Sequence, residues 1–187
     1  MLYLQIYLIA GLVFHKVIWE VLRGKASEKP VERRSLTLRF IKALKVALLV
    51  AVIIQVFYPD LFPISADPVL IRIVGVSIFT AGLLIAVAAR VQLGDNWANI
   101  ETGQVLQTQT VVAKGIYSFV RHPIYVGDML LLLGLQLALN SWLVMGILLL
   151  TPVVLYMAIK EERMLLKNLI GYQAYCRSSK RFIPFVY

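Results

Sequence analysis

Apolar runs separated by short polar segments dominate this chain and set what it can become. A helix needs about 20 apolar residues to cross the hydrocarbon of a bilayer. Stretches of about that order run over Leu2–Leu22, Leu38–Tyr58, Val69–Val91, Ile124–Leu139 and Trp142–Ile159. Of the 187 residues, 60% are hydrophobic and only 16% are charged, a balance unlike that of a soluble domain. The expected fold is therefore all-α: an integral membrane bundle of about five transmembrane helices. The first run has no basic segment before it and no small-residue cleavage site after it, so it reads as a span and not as a removable leader.

The formal charge of +9 raises the question of nucleic acid. The charges sit at the ends of the apolar runs, where membrane topology puts them, and no basic stripe interleaved with aromatics exists. No nucleic-acid partner is expected. With Cys176 as the single cysteine, neither an internal disulfide nor a multi-cysteine metal site is available, and no metal is expected.

Loop charges give an orientation. The segment Arg23–Thr37 carries Arg23, Lys25, Lys29, Arg33 and Arg34, whereas Tyr58–Pro68 and the Asn140-Ser141 turn carry no Lys or Arg. Lys114 and Arg121 lie in the long polar segment after Arg90, and six basic residues lie from Lys160 to Arg181. Positive-inside reasoning places the basic segments in the cytoplasm and the amino terminus outside. Arg39, Lys42 and Lys45 form a stripe suited to snorkelling, and Lys16 with Glu20 suits an i,i+4 pair. Gly75, Ser77, Ala81 and Gly82 give the third run small faces for close packing.

A functional division follows. Residues 1–91 form three helices for packing and lipid access. Residues 92–187 form a catalytic region, with a helical hairpin over 124–159 and a cytoplasmic tail. Gln92–Arg121 is the longest non-spanning stretch. The hairpin turns at Asn140-Ser141, so Arg121-His122-Pro123 and Glu161-Glu162 return to one membrane face although His122 and Glu161 are 39 positions apart. A helix is expected to continue from Lys160 to about Ile170, with a break at Gly171. Charged residues at helix ends often only anchor a helix at headgroups. Two adjacent acids opposite an Arg-His-Pro turn are costly to keep there and suit a ligand bearing both charges.

Arg121-His122-Pro123 followed, after a hairpin, by Glu161-Glu162 resembles the signature of the isoprenylcysteine carboxyl methyltransferases and their phospholipid methyltransferase relatives. Thr110–Tyr117, Tyr125-Val126-Gly127, Glu161–Leu166, Gly171–Tyr175 and Arg181–Pro184 extend the likeness, which covers about Gln104 to Pro184. The resemblance implies S-adenosylmethionine as cofactor, held beside the last two spans. It carries cofactor contacts onto Gln109, Val111, Val112, Gly115, Tyr117, His122, Pro123, Ile124, Tyr125 and one or both of Glu161 and Glu162. It makes Arg121, His122, Glu161 and Glu162 the expected catalytic group. Arg121, Lys160 and Arg163 are expected to bind the substrate's carboxylate. Glutamate suits the cofactor's ammonium, His122 its carboxylate, and tyrosine faces suit adenine or the sulfonium. Two departures stand out: Gln109 occupies a place where the family often has histidine, and Met157 stands near the place of a substrate-binding arginine.

The expected activity is methyl esterification of a lipid-tailed carboxylate, such as a terminal isoprenylcysteine. The partners are then membrane lipids and that acceptor. The main rival is N-methylation of an ethanolamine phospholipid; a reductase fits less well. A rival from another class is a non-catalytic bundle or transporter, whose mark would be ionisable groups at mid-membrane.

Overall fold

The structure, a computed structural model, describes residues 1–22, 36–96 and 109–184. The basic loop residues Arg23 to Arg34, Glu101-Thr102-Gly103, and the side chains of Arg39, Lys42 and Lys45 lie outside the described residues. The helices are α1 (Leu2–Val21), α2 (Leu36–Phe57), α3 (Val69–Leu93), α4 (Pro123–Ala138), α5 (Val144–Asn168) and α6 (Tyr172–Ser178). Three of the described segments, Leu2–Val21, Val69–Asn96 and Val144–Asn168, are long and apolar enough to cross a membrane. Val46–Phe57 and Pro123–Ala138 are shorter apolar helices. At 1.5 Å per residue, the 16 residues of α4 rise roughly 24 Å, less than the hydrocarbon thickness of about 30 Å.

The tightest seam joins α3 and α4. A Cβ built on Gly75 would stand 2.1 Å from the Ala138 nitrogen, and one on Gly82 would stand 2.3 Å from the Leu131 nitrogen. From the other side, Gly127 would meet Ala86 at 2.5 Å and Gly134 would meet Phe79 at 2.1 Å. The steps of three and four along α3 are matched by the same steps running backwards along α4, so the helices are antiparallel with small residues facing backbone. In lipid, where burying apolar surface between helices gains little, such close approach supplies dispersion contact instead. The expected small face of α3 is thereby corrected: Gly75 and Gly82 face α4, whereas Ser77 and Ala81 are exposed.

Around this seam Leu8, Val56, Phe79, Leu131, Leu135, Ala138 and Leu139 form the core. Gln55 and Gln136 exchange side-chain amide hydrogen bonds at 2.8 and 2.9 Å inside it, so neither amide is left unsatisfied away from water. On α1, the Lys16–Glu20 pair forms at 2.7 Å, and His15 reaches Asp128 of α4 at 3.0 Å.

Both loops without lysine or arginine meet at one end of the bundle. Asn140 is buried with φ 54°, a conformation that Asn tolerates better than most residues. Its side chain donates to Asp60 Oδ1 (2.8 Å) and accepts from the Ile64 and Ser65 amides. Arg72 holds both oxygens of Asp60 at 2.7 and 2.6 Å. At the opposite end, Arg90 donates to the carbonyls of Gly94 and Leu22. It thus satisfies carbonyls that the ends of α3 and α1 would leave unpaired.

The hairpin differs from expectation in one respect. The last span and the polar helix after it are a single helix, α5, which runs unbroken to Asn168. Gly171, at φ 85°, then turns the chain into α6, as the sequence indicated. Gly82→Leu is expected to force α3 and α4 apart and lower stability by about 3 kcal/mol or more. Gly146→Ala, whose added Cβ meets nothing within 4 Å, should leave it unchanged. Thermal unfolding in detergent measures both.

Candidate functional site

The site begins where the polar segment turns into α4. Gly115 has φ 60°, and a Cβ there would stand 2.2 Å from the Gln92 side-chain oxygen, which accepts the Ile116 amide at 2.9 Å. This glycine seats the short 3-10 turn Gly115–Ser118 on the end of α3. His122 is the N-cap of α4, and Pro123 occupies its first turn, where a missing N–H costs nothing.

The tail closes against this turn. The Arg121 amide donates to the Lys180 carbonyl (2.8 Å), the His122 amide to Arg181 (3.2 Å), and Lys180 to Phe119 (3.0 Å). The Tyr175 hydroxyl donates to the Tyr117 carbonyl at 2.7 Å. The chain from Phe119 to His122 is therefore paired by hydrogen bonds to residues of α6 and beyond.

Glu162 is the hub of the charges. Its Oε1 accepts from Arg121 Nε (2.8 Å) and His122 Nε2 (3.1 Å); its Oε2 accepts from Arg181 Nε (3.1 Å) and Nη2 (2.8 Å). Because an ionised carboxylate only accepts, His122 carries a hydrogen on Nε2. Arg121 also donates to the carbonyls of Cys176 and Ser179. The Glu162 side chain is 7% exposed and that of Arg121 10%, so the cluster is desolvated as well as paired.

Glu161 stands apart, 100° further round the helix. Its Oε2 accepts from the Tyr125 hydroxyl at 3.1 Å and lies 3.6 Å from His122 Nδ1. The guanidiniums hold Glu162, while Glu161 lines a cavity of about 110 Å³. Of the expected site residues, that cavity brings together Gln109, Val111, Val112, Tyr117, Arg121, His122, Ile124, Tyr125 and Glu161. Gly115, Pro123, Lys160, Glu162 and Arg163 are not among its walls. Lys160 and Arg163 are exposed on α5. Asn96 and Tyr172 also line it, with Met164, Leu165 and Leu169 on the helix side. Sequence reading missed these. The i, i+4 spacing of Glu161, Leu165 and Leu169 was the available signal.

Burial raises the hydroxyl pKa values of Tyr117 and Tyr172 above the ordinary phenol range and that of Tyr175 up to about 12. All three remain protonated near neutrality, so they line the cavity as donors and ring faces and not as bases. Burial likewise raises Cys176, which stays a thiol.

A second cavity adjoins the first. Between α4 and α5 lies an apolar groove of about 360 Å³, walled by Val126, Met129, Leu130 and Leu133 on one helix and Leu148, Thr151, Val154 and Leu155 on the other. Phe182 and Ile183 of the tail complete it, and Tyr125 lines both spaces.

Comparison with known proteins adds the following. The family model for phospholipid methyltransferase matches residues 70–171, more than half the chain and the whole interval from α3 to the end of α5. Among solved structures, the eukaryotic intramembrane Ras methyltransferase, isoprenylcysteine carboxyl methyltransferase, is similar with a TM-score of 0.60. The similarity covers 98% of this chain and 68% of that one at 20% identity, a likeness of fold. No curated protein matches.

The two glutamates should separate experimentally. Glu162→Ala leaves buried cations without their partner and is expected to cost about 3–5 kcal/mol of stability. Glu161→Ala removes one hydroxyl contact and should cost about 1 kcal/mol. Unfolding curves of the two variants check the ranking.

Proposed function

The chain belongs to the phospholipid methyltransferase family and is an integral membrane protein; we propose that it uses S-adenosylmethionine to methylate the carboxylate of a lipid-tailed acceptor at the cytoplasmic face of the membrane. The observation that carries this reading is the pair of adjoining spaces. One is polar and aromatic, the other wholly apolar, and they share Tyr125.

The donor set of the polar cavity fits the cofactor. Glu161 offers a carboxylate free of guanidinium partners for an ammonium, and His122 offers a nearby hydrogen-bonding ring. Tyr117, Tyr125, Tyr172 and Tyr175 provide ring faces for a purine and a sulfonium. When bound, the cofactor supplies an electrophilic methyl group on a positively charged sulfur, which a nucleophile takes by in-line displacement. The chain's own residues then have three tasks. Glu161 and His122 orient the polar end. The Glu162 cluster keeps His122 and the tail where they are. The apolar groove holds a lipid tail so that the head lies beside the cavity and away from bulk water, which favours a reaction that neutralises charge.

A carboxylate is already ionised at neutral pH, so this site needs no general base. The protonated tyrosines agree with that. N-methylation of an ethanolamine phospholipid is the second reading, and the family's description favours it. That acceptor is a protonated amine near neutrality, and His122 or Glu161 would have to take its proton. Orientation belongs to the same proposal. The loops without Lys or Arg are joined through Asp60 and Asn140 at one end, and the basic tail and site lie at the other. That arrangement supports five crossings with the amino terminus outside.

Calorimetry with S-adenosylhomocysteine should show binding that Glu161→Gln and His122→Ala each weaken about tenfold or more. Absence of binding to wild type at high micromolar ligand would remove the cofactor assignment. Rate against pH decides the acceptor. Carboxylate methylation should stay level from about pH 6 to 8, whereas amine methylation should fall about tenfold per unit below the amine's pKa. Impermeant maleimide applied to right-side-out vesicles should label Ala66→Cys and spare Ala113→Cys, both made in a Cys176→Ser background. The reverse pattern would invert the orientation.

A further inference from the structure

The tail residue Phe182 stands where the two spaces meet. It lines the apolar groove, and its ring packs on His122, a wall of the polar cavity, at 5.6 Å between centroids and 32° between planes. The His122 ring in turn stacks on Tyr125 at 5.3 Å and 20°. Phe182, His122 and Tyr125 therefore form a row of three rings along the border of groove and cavity.

This border is held rigidly. The residue before Phe182 is tied twice: its carbonyl accepts the His122 amide, and its guanidinium grips Glu162. One residue earlier, Lys180 pairs with Val120 in a parallel bridge. With the backbone fixed on both sides, the size of the side chain at position 182, and not movement of the tail, sets the width of the opening.

We propose that Phe182 is a specificity-determining residue whose ring, with Tyr125, limits the bulk of the acceptor head that passes from the groove to the cavity. The inference rests on the methyltransferase reading above and adds to it the acceptor class: amphiphiles slim beside the reacting group. An acceptor whose tail lies in the groove brings its head past these rings. A flat or unbranched head slides along an aromatic face. A head branched next to its reacting atom meets the ring edge, and in a confined pocket one or two extra carbons change selectivity by about ten- to two-hundredfold.

The test uses full-length protein in nanodiscs, as wild type, Phe182→Ala and Phe182→Trp. Two photoprobes are compared: a fatty acid bearing a diazirine beside its carboxyl group, and the same acid branched at the carbon next to the carboxyl. Cross-linked peptides are mapped by mass spectrometry. In wild type, the unbranched head should label cavity peptides around His122 and Glu161, and the branched head only groove peptides around Met129 and Leu155. Phe182→Ala should admit both heads to the cavity, and Phe182→Trp neither. Affinity for S-adenosylhomocysteine should stay within about twofold throughout, a readout that a mere structural prop would move. The same labelling pattern in all three proteins would overturn the proposal. So would loss of the nucleoside ligand in step with the labelling. Because labelling needs no turnover, a shifted pattern without methylation of any acid would keep the aperture and defeat the carboxylate reading instead.

Discussion

A buried carboxylate cannot be left alone, and Glu162 is where this structure meets that requirement. Removing a charge from water costs several kcal/mol, which only close, well-directed partners offset. Glu162 finds them in three places at once: Arg121 before α4, His122 at its start, and Arg181 beyond α6. Each partner comes from a different stretch of chain, so satisfying one carboxylate brings α5, the entrance to α4 and the tail together. The walls of the cavity follow. His122 is held with Nε2 toward Glu162 and Nδ1 toward Glu161, and the tail is placed so that Phe182 reaches the border of the groove.

This arrangement divides the labour of two neighbouring glutamates. Successive helical residues point about 100° apart. One glutamate turned inward to the cations therefore leaves the other facing the cavity, where Tyr125 meets it. The α3–α4 seam gives the hub a firm base. With backbone against backbone at Gly75, Gly82, Gly127 and Gly134, α4 has no room to slide, and the end of α3 at Gln92 seats the Gly115 turn that leads into the site. The boundary drawn near residue 91 thus separates roles and not bodies, because α3 is the closest neighbour α4 has.

Much of the fold was legible because lipid imposes so few solutions. Long apolar runs, the Asn140 turn and the break at Gly171 were readable from composition and from residues with special backbone preferences. The meeting of Arg121-His122-Pro123 with Glu161-Glu162 was readable too, since a hairpin with arms of similar length must return to its starting face. Reading faces was harder. Ser77 and Ala81 looked as suitable for packing as Gly75 and Gly82, and the buried Gln55–Gln136 pair gave no sequence signal, since either glutamine alone resembles an isolated polar residue in a span. Nor did anything local join Asp60 to Arg72 and Asn140, whose connection depends on where two distant loops come to rest.

The sequence by itself determined an all-helical membrane chain, the hairpin, and the set of charged residues gathered at one end of it, because hydrophobic length and turn chemistry are local properties. The tertiary structure alone decided which glutamate is spent on cations and which faces the cavity, that α4 and α5 part to leave an apolar groove, and that Phe182 stands between groove and cavity. Those outcomes depend on helix rotation, on the separation of two helices, and on hydrogen bonds between segments some 60 residues apart. No local pattern encodes any of the three.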